Sequence, residues 1–155
     1  MISPTKRFVL ATAAALALFG CGTLPGSITV DEAAARLEQD QTPAGVEAAL
    51  LRQFAAYQSG DMDSAFSGLL KECRLATDRF TFSKRVEVFV LAIETLTGSK
   101  LSNLRLRNVS VTNFTPERAT AGAYLYLADG TLATSSADEG ETVFYEDGRW
   151  RFDCP

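Results

Sequence analysis

Along this chain of 155 residues the spacing of apolar side chains changes period once, and that change limits the folds open to it. Up to about Leu101 apolar positions recur at helical intervals, and beyond it they alternate. Val46, Leu50, Phe54 and Tyr57 mark one helix face. Thr42-Pro43 starts that helix, as an N-cap followed by proline at the first helical position, and Ser59-Gly60 stops it. Asp61 is expected to cap a next helix in which Ala65, Phe66, Leu69, Leu70 and Cys73 share a face. Ser83 is expected to cap a third, with Val86, Phe89, Val90, Ile93 and Leu96 inward and Gly98 at its end. Upstream, Thr29-Val30-Asp31-Glu32 fits a capping box, which predicts a short first helix.

In the second part Leu104 and Leu106 alternate with Arg105 and Arg107, and Val109 and Val111 resume after a three-residue step. Such a slip predicts a bulge near Arg107-Asn108 that bends the strand. Ala119, Ala121, Ala123, Leu125 and Leu127 then alternate with Thr120, Gly122, Tyr124 and Tyr126. Asp129-Gly130 is a turn signal, and TSSADEGE, Thr134 to Glu141, reads as a polar, acidic loop. Asp147-Gly148, between Thr142 to Glu146 and Arg149 to Cys154, predicts a hairpin. Helices followed by a bent antiparallel sheet make an α+β fold.

The chain opens MISPTKRFVLATAAALALFGCG. Lys6 and Arg7 are a short positive region, and Phe8 to Phe19 is a run of apolar and small residues. Twelve residues of helix span about 18 Å against roughly 30 Å of bilayer hydrocarbon, so the pattern is a secretory leader rather than a permanent span. The run ends in Leu18-Phe19-Gly20-Cys21, which resembles the bacterial lipobox. That resemblance implies that Cys21 gains a diacylglycerol on its sulfur and becomes the new N-terminus. Phe19 departs from the small residue usual there, and ordinary cleavage nearby would leave Cys21 a plain thiol. Two or three acyl chains hold a protein stably on a membrane. Gly22 to Ser27, GTLPGS, reads as a tether. Residues 1–20 are thus expected to be a lipoprotein leader, and 21–41 the lipid-bearing cysteine, tether and short helix. Residues 42–155 are expected to form one domain on the extracytoplasmic face of a bacterial membrane.

Of 15 basic side chains, Lys6 and Arg7 leave with the leader, so 13 remain against 19 acidic ones, a net charge of −6. Nucleic-acid binding, which needs a basic excess, is not expected. The chain contains no histidine, which excludes Ser-His-Asp and Cys-His catalysis and most zinc sites, but not carboxylate or tyrosine acid-base chemistry. No cofactor is expected. With Cys21 set aside, Cys73 and Cys154 are an even pair that in an exported protein most simply forms a disulfide.

Three stretches carry a resemblance to the nuclear-transport-factor-2-like superfamily, in its small actinobacterial-type secreted lipoprotein branch. They are AAYQSGDMDSAFSGLL (Ala55 to Leu70), VSVTNFTPERATAGAYLYL (Val109 to Leu127) and FYEDGRWRFDC (Phe144 to Cys154). The resemblance rests on their order and spacing. It implies a cone, with helices packed into a curved sheet and a pocket at the wide end. It also implies a pairing of Cys73 with Cys154. Some members are isomerases or cyclases and many only bind or assemble, so the fold alone chooses no activity.

The small inward row Ala119, Ala121, Ala123 leaves room that Phe54, Phe66, Phe89 and Trp150 fill, or that a ligand fills. Tyr57, Phe66, Ala121 and Ala123 are the candidate pocket residues, with the Tyr57 hydroxyl either turned into the pocket or satisfied in the core. An isomerase-like site would need an inward acid beside it, and the aspartates fall at caps and turns. By alternation Arg105, Arg107, Arg149 and Arg151 point the same way as Tyr124 and Tyr126. That face is either a basic, aromatic interface for a second copy, an envelope protein or anionic lipid, or a solvated surface with arginine stems over tyrosine rings. Ala137 to Glu141 lacks the spaced ligands of a calcium site.

The leading expectation is a non-catalytic binding or assembly module anchored through acylated Cys21. The alternatives are a carrier or sensor of an apolar small molecule and, less favoured, an isomerase- or cyclase-like enzyme. An open apolar cavity favours the carrier, an acid beside Tyr57 the enzyme, and a filled core under an exposed Arg/Tyr sheet the assembly module.

Overall fold

The computed structural model describes residues 35–135 and 140–154; the leader, Cys21, the Thr29 capping box and most of the acidic loop lie outside them. A helical turn at 35–37 precedes α1 (Pro43–Ser59). The Thr42 hydroxyl accepts from the Gly45 N–H at 3.2 Å, and Gly60, at φ 71°, ends the helix as expected. Val46, Ala49, Gln53 and Ala56 form its buried stripe.

The helix expected after Asp61 is two helices, α2 (Met62–Ser67) and α3 (Lys71–Ala76). Asp61 does cap the first, its carboxylate accepting from the Ser64 N–H at 3.0 Å. The break between them follows from strand pairing. The Leu70 N–H donates to the Phe152 carbonyl at 2.8 Å, and the Phe152 N–H to the Gly68 carbonyl at 3.0 Å. A sheet edge left open would expose unpaired backbone groups, and this extended stretch covers it. A Cβ at Gly68 would lie 2.2 Å from the Gln53 Oε1, so any larger residue there has to displace the Gln53 amide.

Asp78 rather than Ser83 caps α4 (Arg79–Thr97). Its carboxylate accepts from the Thr81 N–H at 2.9 Å and the Thr81 hydroxyl at 2.7 Å. The earlier start places Phe82 in the core, and Gly98, at φ 65°, closes the helix. Val86 is buried as expected, whereas Phe89 and Leu96 are not: they are 48% and 81% exposed.

A short 3-10 turn (Leu101–Asn103) leads into β1 (Arg105–Thr112), followed by β2 (Arg118–Tyr126), β3 (Leu132–Ser135), β4 (Glu141–Glu146) and β5 (Arg149–Phe152). The strands form one antiparallel sheet in the order β1-β2-β4-β5, with β3 also paired to β2. The molecule is α+β, with helices on one face of an open five-stranded sheet. The expected bulge lies between Arg107 and Ser110, with Asn108 at φ 53°. β3 has no counterpart in the alternation; it is short, and it forms because the Asp129-Gly130 turn folds the chain back on β2, pairing Leu132 with Tyr126 and Thr134 with Leu125. β3 and β4 share one edge of β2, β3 beside its C-terminal part and β4 beside Arg118 to Ala121.

The inner face carries Ala119, Ala121, Val143, Trp150 and Phe152 against α1, α2 and α4. The buried Trp150 indole donates to the Asp40 carbonyl at 2.9 Å and meets the Tyr145 ring edge-on at 5.4 Å. Cys73 of α3 and Cys154 beyond β5 are joined, with Sγ atoms 2.04 Å apart and a sequence separation of 81. The expected disulfide is therefore present, and it ties the helical layer to the end of the last strand.

Candidate functional site

The alanine row does leave room. Between α1, α4 and the inner sheet face an open cleft of about 460 Å³ is lined by Leu50, Phe54 and Tyr57 from α1 and Phe89, Ile93 and Leu96 from α4. Its floor is Leu106, Ala121, Ala123 and Leu125. The geometry follows from side-chain size: alanines at 121 and 123 do not fill the distance between sheet and helices. Phe54 and Phe89 stand in the walls instead of plugging the space. Of the four candidate pocket residues, Tyr57, Ala121 and Ala123 line the cleft. Phe66 does not: its ring packs against Phe82, with centroids 5.4 Å apart.

Three polar groups interrupt the apolar lining. Gln53, 3% exposed, donates from Nε2 to the Tyr57 hydroxyl at 2.8 Å and to the Ala65 carbonyl at 3.1 Å. The Tyr57 oxygen thus acts as an acceptor within the protein, and its own hydrogen is left for an acceptor in the cleft. Burial raises the Tyr57 pKa, so the phenol stays protonated and a donor. The third group is Glu141, at the start of β4, where Ala121 is its cross-strand partner. As a residue Glu141 is exposed, yet protein packed around its carboxyl raises its pKa by desolvation. Glu141 thus keeps its proton to a higher pH than an ordinary carboxylate, and in its protonated form it offers both a donor and an acceptor to a bound molecule.

A second hollow of about 710 Å³ runs along α4 past Lys84, Arg85, Val88 and Ala92. It shares Tyr57, Phe89 and Glu141 with the cleft, so these three stand at the junction of the two. Neither Gln53 nor Glu141 was marked by the sequence. Gln53 lies four residues before Tyr57 on an apolar helix face, which is the signal that points to it. Glu141 closes the stretch whose composition reads as an acidic loop, and the structure instead makes it the first residue of β4.

The outer sheet face is only partly as alternation suggests. Arg105 pairs across from Tyr126 and Arg107 from Tyr124, so these four share a face. The Arg107 guanidinium lies 5.7 Å from the Tyr126 ring centre, and the Tyr126 hydroxyl accepts from Asn108 Nδ2 at 2.9 Å. Arg149 is half-buried opposite Glu146. Arg151 must be corrected: it is 8% exposed, and its guanidinium donates to the Ser67 carbonyl. Alternation assigned it a face but not the cover that the chain at 67–70 lays over the edge strand. Burial, with Arg149, Arg74 and Arg52 nearby, lowers its pKa to about 10.

Among the described residues the one group of potential metal ligands, Cys73, Asp153 and Cys154, contains both disulfide cysteines. No family model matches the chain, and neither a curated protein nor a solved structure matches it.

Proposed function

We propose that this chain is a lipid-anchored extracytoplasmic protein whose domain holds an apolar small molecule in the cleft, as a carrier or sensor. One observation carries the reading: an open, mostly apolar cleft of about 460 Å³ with three polar groups. Ligand pockets commonly enclose about 300–1,000 Å³ with apolar walls and a few orienting polar groups. The α+β layout, with helices on one face of a bulged sheet and an opening between the layers, also supports the nuclear-transport-factor-2-like cone. Acylated Cys21 supplies the anchor in this reading.

Native mass spectrometry of the full-length protein extracted from its own membranes tests it. The expected result is a non-covalent adduct of a few hundred daltons that an Ala123→Trp variant, folded by circular dichroism, no longer carries. An empty domain accompanied by a second polypeptide would instead favour the assembly module, acting through Arg105, Arg107, Tyr124 and Tyr126. A catalytic reading draws on Glu141 sharing the cleft with Tyr57. If the cleft turns its ligand over, the adduct of a Glu141→Gln variant differs in mass from that of the unaltered chain; identical adducts leave the carrier.

A further inference from the structure

The cleft between α1, α4 and the sheet carries an unbalanced charge. Among the described residues, Glu141 is the one acid that lines it, and no lysine or arginine does. Local packing seats that acid. A Cβ at Gly140 would lie 2.8 Å from Thr120 Cγ2 and 3.0 Å from the Ala121 carbonyl oxygen, so the chain runs close against β2 just before Glu141. Strand pairing then sets Glu141 across from Ala121, beside the floor of the cleft. Desolvation is the influence that shifts its carboxyl, and no cation among the described residues offsets it. Lys84 and Arg85 lie along the neighbouring hollow, where Lys84 pairs with Glu87 at 2.8 Å.

The aromatic lining adds potential of the same sign. Phe54, Tyr57 and Phe89 line the cleft, and the rings of Tyr57 and Phe89 meet at 61° with centroids 6.2 Å apart. The face of an aromatic ring is negative and attracts a cation, more strongly where water is excluded. A carboxylate held among apolar groups without a partner is costly, and a cationic ligand removes that cost by pairing with its charged form. A fatty-acid anion in the same place would instead set two carboxylates together. The Tyr57 hydrogen, which the bond from Gln53 leaves for the cleft, suits an oxygen elsewhere on the ligand.

We infer that the cleft takes an apolar molecule bearing a positively charged amine, held by Glu141 and the rings of Tyr57 and Phe89, with its hydrocarbon part between Leu50, Ile93 and Leu125. This rests on the reading of the cleft as a ligand site and names the ligand's chemistry. A free lipophilic amine and the headgroup of a choline or ethanolamine lipid share that chemistry.

The test is a native mass spectrum of the full-length protein in non-ionic detergent with four ligands of one chain length in equal amounts. These are decyltrimethylammonium, decylphosphocholine, decanol and decanoate. The expected result is an ammonium-bearing adduct at about ten times the decanoate adduct, a preference that folded Glu141→Gln loses. Decylphosphocholine ahead of decyltrimethylammonium would assign the amine to a lipid headgroup, and the reverse order to a free amine; both support the inference. A chain of net charge −4 attracts cations over its whole surface, so the adduct must also vanish in folded Ala123→Trp. An adduct that survives there lies outside the cleft and overturns the inference. Decanol or decanoate bound as well as the ammonium compounds overturns it too, while leaving the cleft a carrier of apolar molecules. No adduct with any of the four overturns the carrier reading itself. An unchanged preference in folded Glu141→Gln also overturns it. Should that variant not fold, Phe89→Leu, at a half-exposed position, is expected to lower the ammonium adduct about threefold, and no change there overturns the inference.

Discussion

Gln53 and Tyr57 are joined side chain to side chain, Nε2 to hydroxyl at 2.8 Å, while the second amide hydrogen reaches the Ala65 carbonyl at 3.1 Å. One buried amide thus binds α1 to α2 and orients the hydroxyl that lines the cleft. Gln53→Ala leaves two acceptors without their donor and an empty space beside Gly68, and is expected to destabilise the domain by about 3 kcal/mol in urea unfolding. Tyr57→Phe removes one acceptor from the amide and should cost about 1 kcal/mol. A larger loss for Tyr57→Phe than for Gln53→Ala would refute the orientation argued for this pair.

The disulfide closes a long loop. For a separation of 81 residues the chain-entropy relation gives at most about 4.5 kcal/mol. Reduction, or the double change Cys73→Ser and Cys154→Ser, is expected to lower the unfolding free energy by a large part of that amount, and the midpoint with it, while the folded spectrum is kept. An unchanged midpoint in reductant would show that the crosslink does not constrain the unfolded chain.

Two sets of carboxylates give opposite dependences on pH. Burial raises Glu141, and it raises Glu38 despite the attraction of Arg52, 2.6 Å away. The folded state holds these protons more tightly than the unfolded chain, so their contribution is largest below the ordinary value of 4.5 and is lost as pH rises through the raised one. Hydrogen bonds from Ser64, Thr81 and Thr131 hold Asp61, Asp78 and Asp129 below 3.8. Stability from those three is present above 3.8 and lost as pH falls through the depressed values. Glu141→Gln should therefore flatten the decline of Tm on the rising side and leave the acid limb unchanged. Thermal unfolding over a pH series measures both limbs in one experiment.

Arg105 and Arg151 look alike in the sequence and are expected to differ on charge reversal. Arg151→Glu places a carboxylate against the Ser67 carbonyl in a buried setting and should cost about 3 kcal/mol or more. Arg105→Glu, on the exposed face, should stay within about 0.5 kcal/mol. Equal losses would mean that the two arginines share one environment.

Local chemistry in the chain determines a good deal of this protein. The change of period at Leu101 sets helices before strands. Thr42-Pro43, Asp61, Gly60 and Gly98 mark helix ends because caps and left-handed glycines act within one turn. The slip at Arg107-Asn108 and the Asp147-Gly148 hairpin are equally local. What the tertiary structure alone decided depends on residues far apart in sequence. Leu69 leaves its helix because Phe152 offers a free strand edge, Arg151 is buried because residues 67–70 lie over it, and Asp78 rather than Ser83 starts the helix that brings Phe82 into the core. The cleft is of the same kind. The alanines at 121 and 123 state only that a side chain is small, and whether a phenylalanine fills the space above them is settled by where α1 and α4 place Phe54 and Phe89. Periodicity assigns a residue to a face; the distance to the opposite layer, which no local pattern contains, decides whether that face is packed, open or covered.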